Sequence, residues 1–178
     1  MPRCGDVDAK GANMEYQHVT HGFDPVFDER SRVLVLGSFP SVLSRENDFY
    51  YGNPRNRFWD VIASCLDARP VHSVEEKRAL LLEHGIALWD VIAECDIRGS
   101  SDTSIANVAP VEIERILTVA PICHVVCNGG TAGRLYAKHL QGRVGLSAVT
   151  LPSTSPANAS WTLERLKQRW CEVLASML

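Results

Sequence analysis

The chain has 178 residues, of which 46% are hydrophobic and 22% charged, and 18 basic against 21 acidic side chains leave a net charge of −3. That length suits one compact domain burying roughly 70% of its unfolded surface, and the composition excludes wholesale disorder. The slightly acidic balance excludes a protein that coats nucleic acid by bulk charge, though not one that grips a few phosphates locally.

No apolar run approaches the ~20 residues of a membrane span. Met1-Pro2-Arg3-Cys4-Gly5-Asp6 lacks the apolar stretch of a secretory signal. The six cysteines, at 4, 65, 95, 123, 127 and 171, form no Cys-x-x-Cys pair, so reduced, buried thiols in a cytoplasmic protein are expected.

The first twenty or so residues are polar and aperiodic and read as a loose lead-in. Arg32-Val33-Leu34-Val35-Leu36 then reads as a buried strand stopping at Gly37. Phe58, Val61, Ile62, Cys65 and Leu66 share one helical face. Ser73 and Glu76 have the spacing of a capping box, opening a helix that runs to Gly85. Ile86-Ala87-Leu88-Trp89 reads as a second buried strand. Asp90, Glu94 and Asp96 after it read as an exposed acidic turn.

Gly99 to Ser104 is a loop by composition. Pro110 suits the first turn of a helix carrying Ile113, Ile116 and Leu117. Ile122 to Cys127 is a third strand, in which His124 reads as a satisfied core residue. Thr131 to Leu140 is helical, and Ser147 to Leu151 is a fourth strand. Leu163, Leu166, Trp170, Val173, Leu174 and Met177 define a closing helix. The late basic residues Arg134, Lys138, His139, Arg143, Arg165, Lys167 and Arg169 read as solvated helix faces.

Strands alternating with helices imply a parallel sheet covered on both faces. Ligands of such sheets bind beyond the carboxyl ends of the strands, here the loops after Leu36, Trp89, Cys127 and Leu151. In the first loop Gly37 admits close approach, Pro40 stiffens the turn, and Phe49-Tyr50-Tyr51 offer an apolar wall for a planar base. Phe58 and Trp59 read as core, and Asn53 and Asn56 as a turn residue and a helix cap. The last loop, Pro152-Ser153-Thr154-Ser155-Pro156-Ala157-Asn158, is stiff, donor-rich and uncharged. It reads either as a plain connection or as a finger for a nucleic-acid groove. No phosphate-binding glycine loop, Gly-x-Ser-x-Gly elbow or zinc-protease histidine pair is present.

In their order, Gly37-Ser38-Phe39-Pro40-Ser41, Tyr50-Tyr51-Gly52-Asn53-Pro54-Arg55-Asn56-Arg57-Phe58-Trp59 and Leu151-Pro152-Ser153-Thr154-Ser155-Pro156-Ala157-Asn158 resemble the uracil-DNA glycosylase superfamily. The closest resemblance is to its DNA-deoxyinosine (hypoxanthine-DNA) glycosylases. Gly22-Phe23-Asp24-Pro25-Val26 and Gly99 to Ile105 add to it, and it runs from about Gly22 to the C-terminus.

The resemblance implies a three-layer α/β/α sandwich with a short central, mainly parallel four-stranded sheet. It implies a lead-in over 1–21 and a single glycosylase-like domain over 22–178. It also implies a monofunctional enzyme of base excision repair, flipping a deaminated base out of DNA and hydrolysing its N-glycosidic bond. No cofactor or metal is expected, and a monomer is the default.

Mismatch-specific members of the superfamily carry Asn where this chain has Phe39, and Asn or His where it has Ser153. This departure favours a purine. The resemblance gives Asn56 the catalytic part, with Asn53 as nearest substitute. It assigns Gly37, Ser38, Phe39, Pro40, Tyr50 and Tyr51 to the base pocket. Ser153, Thr154, Ser155, Pro156, Ala157 and Asn158, with Asn128, then contact DNA. A uracil or thymine specificity, a catalytically silent DNA-binding module and a small-molecule enzyme such as a nucleoside hydrolase stay open as alternatives.

Overall fold

The computed structural model describes residues 15–99 and 102–178. The lead-in up to position 14, including Cys4, and Ser100–Ser101 of the Gly99–Ile105 match lie outside the described residues.

The expected β-branched runs form one parallel sheet. Its strands are β2 (Val33–Gly37), β3 (Ile86–Asp90), β6 (His124–Asn128) and β7 (Ala148–Leu151), in the order β3-β2-β6-β7. Every residue of β2 and β3 is buried, as strands covered on both faces must be.

The helices are α1 (Val42–Glu46), α2 (Phe58–Cys65), α3 (Val74–Glu83), α4 (Glu114–Leu117), α5 (Gly130–His139), α6 (Gln141–Val144) and α7 (Leu163–Ala175). Helix α3 packs on β3 and α5 on β6 and β7, while α2 and α7 pack on each other. The result is the expected α/β/α arrangement. Helix α3 opens with both halves of the Ser73–Glu76 capping box.

Three features differ from the sequence reading. A second, antiparallel sheet is built from β1 (Gln17–Thr20), β4 (Ile92–Ile97) and β5 (Ala106–Pro110), in the order β1-β4-β5. Part of the expected loose lead-in is therefore a strand, and the acidic stretch after β3 is mostly strand. Register irregularities between Ile92, Glu94 and Asp96 hide the alternation that would have announced β4. Pro110 ends edge strand β5, where a missing N–H costs little, and the helix after it is the single turn α4.

The third difference is covalent: Cys65 and Cys171 form a disulfide joining α2 to α7 across 106 positions. The expectation of reduced thiols fails here, because packing of these two helices brings their Cα atoms to 4.6 Å. Cys95 and Cys127 are buried, and burial pushes the Cys127 thiol up to about 12. His124 is partly buried at the start of β6.

Candidate active site

In the parallel sheet Gly37 pairs with Asp90, Leu36 with Cys127, and Asn128 with Leu151. The four strands thus end together, and the chain leaving them encloses a cavity of about 640 Å³, a size typical of small-ligand sites. It is lined by Gly37, Ser38, Phe39, Pro40, Tyr50, Tyr51, Asn53, Asn56, Asn128 and Ser153 to Ala157. Of the residues expected from sequence, only Asn158 does not line it.

Asn56 is oriented by a chain of hydrogen bonds that fixes both amide groups involved. The Thr154 N–H donates to Asn128 Oδ1 at 3.0 Å, so Asn128 Nδ2 is the donor to Thr154 Oγ1 at 2.9 Å and to Tyr51 Oη at 3.0 Å. Thr154 Oγ1 then donates to Asn56 Oδ1 at 2.9 Å, and the Phe58 N–H donates to the same oxygen at 3.0 Å. Two donors already occupy the Asn56 carbonyl oxygen, so what Asn56 offers a ligand is its NH₂ group. The cap position of α2 is Arg57 rather than Asn56, yet the Asn56 side chain accepts from the Phe58 N–H at the helix start while Asn56 lines the cavity.

Asn53 has a bracing part. Its Oδ1 accepts from the Arg55 N–H at 2.9 Å and its carbonyl from the Asn56 N–H at 2.9 Å, closing the turn that presents Asn56. Of the three aromatics, Phe49 and Tyr50 are core. Tyr50 is 2% exposed, donates through Oη to the Asp24 carbonyl, and has its phenol pushed up by burial, with the Asp90 charge adding. Tyr51 stacks on Phe58, ring centroids 4.1 Å apart, with φ at +53°. A bulky side chain rarely adopts that backbone conformation. Phe39 lies beneath the Arg45 guanidinium, 5.5 Å from its ring centroid.

The loop 152–158 is held rather than loose. Ser153 and Ser155 hydroxyls accept from the Ser155 and Ala157 N–H groups, and Asn158 Nδ2 donates to the Ser153 carbonyl. Thr154 is fully buried, whereas Pro156 and Ala157 form an exposed tip. Trp170 Nε1 on α7 donates to the Pro152 carbonyl at 3.0 Å.

Arg57 does most of the holding, a part no local pattern announced. Its backbone N–H donates to the Thr154 carbonyl. Its guanidinium donates to the carbonyls of Thr154, Ser155, Asn158 and Trp161.

The residue sequence reasoning misplaced is Asp90. It is the last residue of β3 and lines the cavity at 4% exposure, not an exposed turn. Its Oδ2 lies 2.8 Å from Nε2 of His21, itself buried. His21 Nδ1 lies 3.0 Å from the Phe23 carbonyl. A Cβ on Gly37 would collide with Asp90 Oδ1 and come within 3.1 Å of Tyr51 Oη. Gly37 is therefore required by the carboxylate beside it rather than by its own backbone angles.

The family model described as "Uracil DNA glycosylase superfamily" matches residues 25–175. The chain is 32% identical over 148 residues to the hypoxanthine DNA glycosylase of Methanosarcina acetivorans, covering 83% of this chain and 93% of that one. It is 31% identical over 153 residues to the hypoxanthine DNA glycosylase of Methanosarcina barkeri, covering 85% and 95%. A solution NMR structure from Methanosarcina acetivorans, with a provisional uracil DNA glycosylase assignment, superposes with a TM-score of 0.76 at 30% identity. That match covers 90% of this chain and 99% of the other.

Proposed function

The chain belongs to the uracil DNA glycosylase superfamily, and on that premise we propose that it is a monofunctional DNA glycosylase that excises hypoxanthine from DNA. Relatives bearing that activity in their names match more than four-fifths of its length. The observation that carries the reading is the Asn128–Thr154–Asn56 network, which holds one amide donor in a cavity at the carboxyl edge of the sheet.

The deoxyinosine is flipped from the duplex into that cavity, at a cost of a few kcal/mol of unstacking. Phe39 and Tyr51 flank the base. Cleavage breaks the bond between C1′ and N9 through an oxocarbenium-like sugar. Water adds its oxygen to C1′ and releases a proton, the base departs with the bonding electron pair, and an abasic site remains. The Asn56 NH₂ donates to the leaving base as negative charge develops on it, a contact that strengthens in the transition state. Since its carbonyl oxygen is occupied, Asn56 does not take the proton of the attacking water.

The exposed Pro156–Ala157 tip enters the groove from which the nucleotide has left. Among the described residues no lysine lines the cavity, so no Schiff-base strand-cleavage step follows excision. One chain supplies the whole site, and the enzyme works as a monomer beside the DNA in the cytoplasm. No helix among the described residues is long and apolar enough to cross a membrane.

The test uses end-labelled duplexes carrying a single hypoxanthine, a single uracil, or thymine opposite guanine, followed by alkali. Cutting at hypoxanthine is expected, reduced on the order of 10³-fold in Asn56→Ala, with the melting temperature lowered by several degrees but the protein still folded. Cutting only at uracil would move the specificity elsewhere in the superfamily. A folded wild-type protein that cuts none of them would leave a DNA-binding module.

A further inference from the structure

Resting on that reading, we propose that Arg45 is a second catalytic residue, whose guanidinium stabilises the negative charge that develops on the departing base. Arg45 lies in the last turn of α1, a helix whose first turn is capped by the Ser41 hydroxyl. Among the described residues it supplies the one cationic side chain that lines the cavity.

Its charge is left unsatisfied. The Arg45 Nε is buried and has no hydrogen-bond partner among the described residues, a state that costs free energy. Arg30, Arg115, Arg143 and Arg169 each pair with a carboxylate, whereas no described carboxylate pairs with Arg45. The cavity's own carboxylate, Asp90, is taken up by His21. A preorganised cation of this kind is unfavourable alone and favourable once an anion forms beside it.

The guanidinium is held without being consumed. It lies over the Phe39 ring, 5.5 Å from the centroid, a stacking that orients a planar cation and leaves its N–H groups pointing outward. Phe39 lines the same cavity, so a base against Phe39 has the Arg45 charge close by. A backbone phosphate is the other anion that DNA brings. It stays on the solvated outside of a flipped nucleotide, whereas the buried Nε and the Phe39 stack belong to the wall that the base meets.

When the C1′–N9 bond breaks, its electron pair goes to the base and spreads over the ring nitrogens and O6. The neutral base of the ground state gains little from a nearby cation and the departing anion gains much. The contact therefore lowers the barrier rather than tightening binding. Arginine keeps its proton at any working pH, so Arg45 supplies charge and N–H donors only, and the freed base takes its proton from water. Asn56 offers that anion a neutral donor, and Arg45 adds the charge that Asn56 lacks. Nothing in this role depends on which purine edge is presented, so it bears on rate and not on base choice.

The experiment compares wild type with Arg45→Gln and Arg45→Lys, and Arg45→Ala serves as a second neutral variant should glutamine perturb the fold. Single-turnover excision of hypoxanthine is measured beside affinity for a duplex carrying a 2′-fluoro deoxyinosine analogue. That analogue resists cleavage, because fluorine beside C1′ disfavours the oxocarbenium-like sugar. Melting temperature reports on fold, and affinity is read at several salt concentrations. Arg45→Gln is expected to slow excision on the order of 100-fold. Affinity for the fluorinated duplex, and its salt dependence, are expected to stay within about twofold of wild type. Arg45→Lys is expected to recover about tenfold over glutamine, because it keeps the charge and loses the planar stack.

A folded Arg45→Gln with wild-type excision, or a lysine variant no better than glutamine, overturns the inference. So does a loss that appears equally in affinity with a shallower salt dependence, which would mark Arg45 as a phosphate contact. Wild type that excises no hypoxanthine overturns the glycosylase reading as well. An active wild type whose rate ignores Arg45 overturns this inference alone.

Discussion

Arg57 links the helix-start block to the loop 152–158, and removing it should loosen the loop before it loosens the fold. Its guanidinium donates to carbonyls at 154, 155, 158 and 161, nearly the whole span from Thr154 to the start of α7. Each such bond is worth about 1 kcal/mol net when half-buried, so truncation to alanine forfeits about 3 kcal/mol, allowing for sharing among donors of one planar group. That is a large part of the 5–15 kcal/mol available to a typical domain.

The loss falls mainly on the loop, because the Arg57 backbone N–H still holds Thr154 and Trp170 still holds Pro152. Amide exchange at 154–161 should therefore accelerate on the order of 100-fold in Arg57→Ala, with β2 and β6 amides changing less. Excision should drop together with loop protection, since Thr154 carries the hydrogen bond that aims Asn56. Arg57→Lys should fall between, because one ammonium cannot span carbonyls spread over eight positions. Loop protection at the wild-type level in Arg57→Ala would refute the reasoning.

Gly37→Ala should lower stability by about 1–3 kcal/mol and cost at least tenfold in excision by the protein that remains folded, because the new Cβ displaces Asp90 Oδ1; undiminished excision would show that the carboxylate's position is immaterial. Cys171→Ser should lower stability by about 4 kcal/mol, from a loop closed over 106 positions, and urea unfolding with and without reductant reads this directly. The anchoring of β1 should depend on pH. Hydrogen bonding to Asp96 raises the His18 imidazole, and bonds from Asn107 and His18 lower Asp96. The histidine contribution is present below its ordinary value and lost as pH rises through the raised one. The aspartate contribution is present above its ordinary value and lost as pH falls through the lowered one. β1 should thus be held best between about pH 4 and 6.5, and exchange of its amides, corrected for intrinsic rate, should show that window in wild type and lose its alkaline limb in His18→Gln.

Local pattern alone determined the parallel sheet, because the apolar runs at 32–36, 86–89, 122–127 and 147–151 alternate with stretches of helical spacing. It also determined the capping box of α3, and the two loops that supply Gly37 with Asn56 and Thr154, since strand ends in such a sheet must converge. What it could not express is partnership across the chain. The acidic stretch beginning at Asp90 has the composition of an exposed turn, and only the return of β1 against β4 sets His21 beside it and buries the pair. Arg57 is one more basic residue until the loop nearly a hundred positions later folds over it. Cys65 and Cys171 are unrelated until α2 and α7 lie side by side. Periodicity records which face of an element is buried, whereas polarity, proton placement and reach at the site depend on which elements meet, and that is settled only by the packed chain.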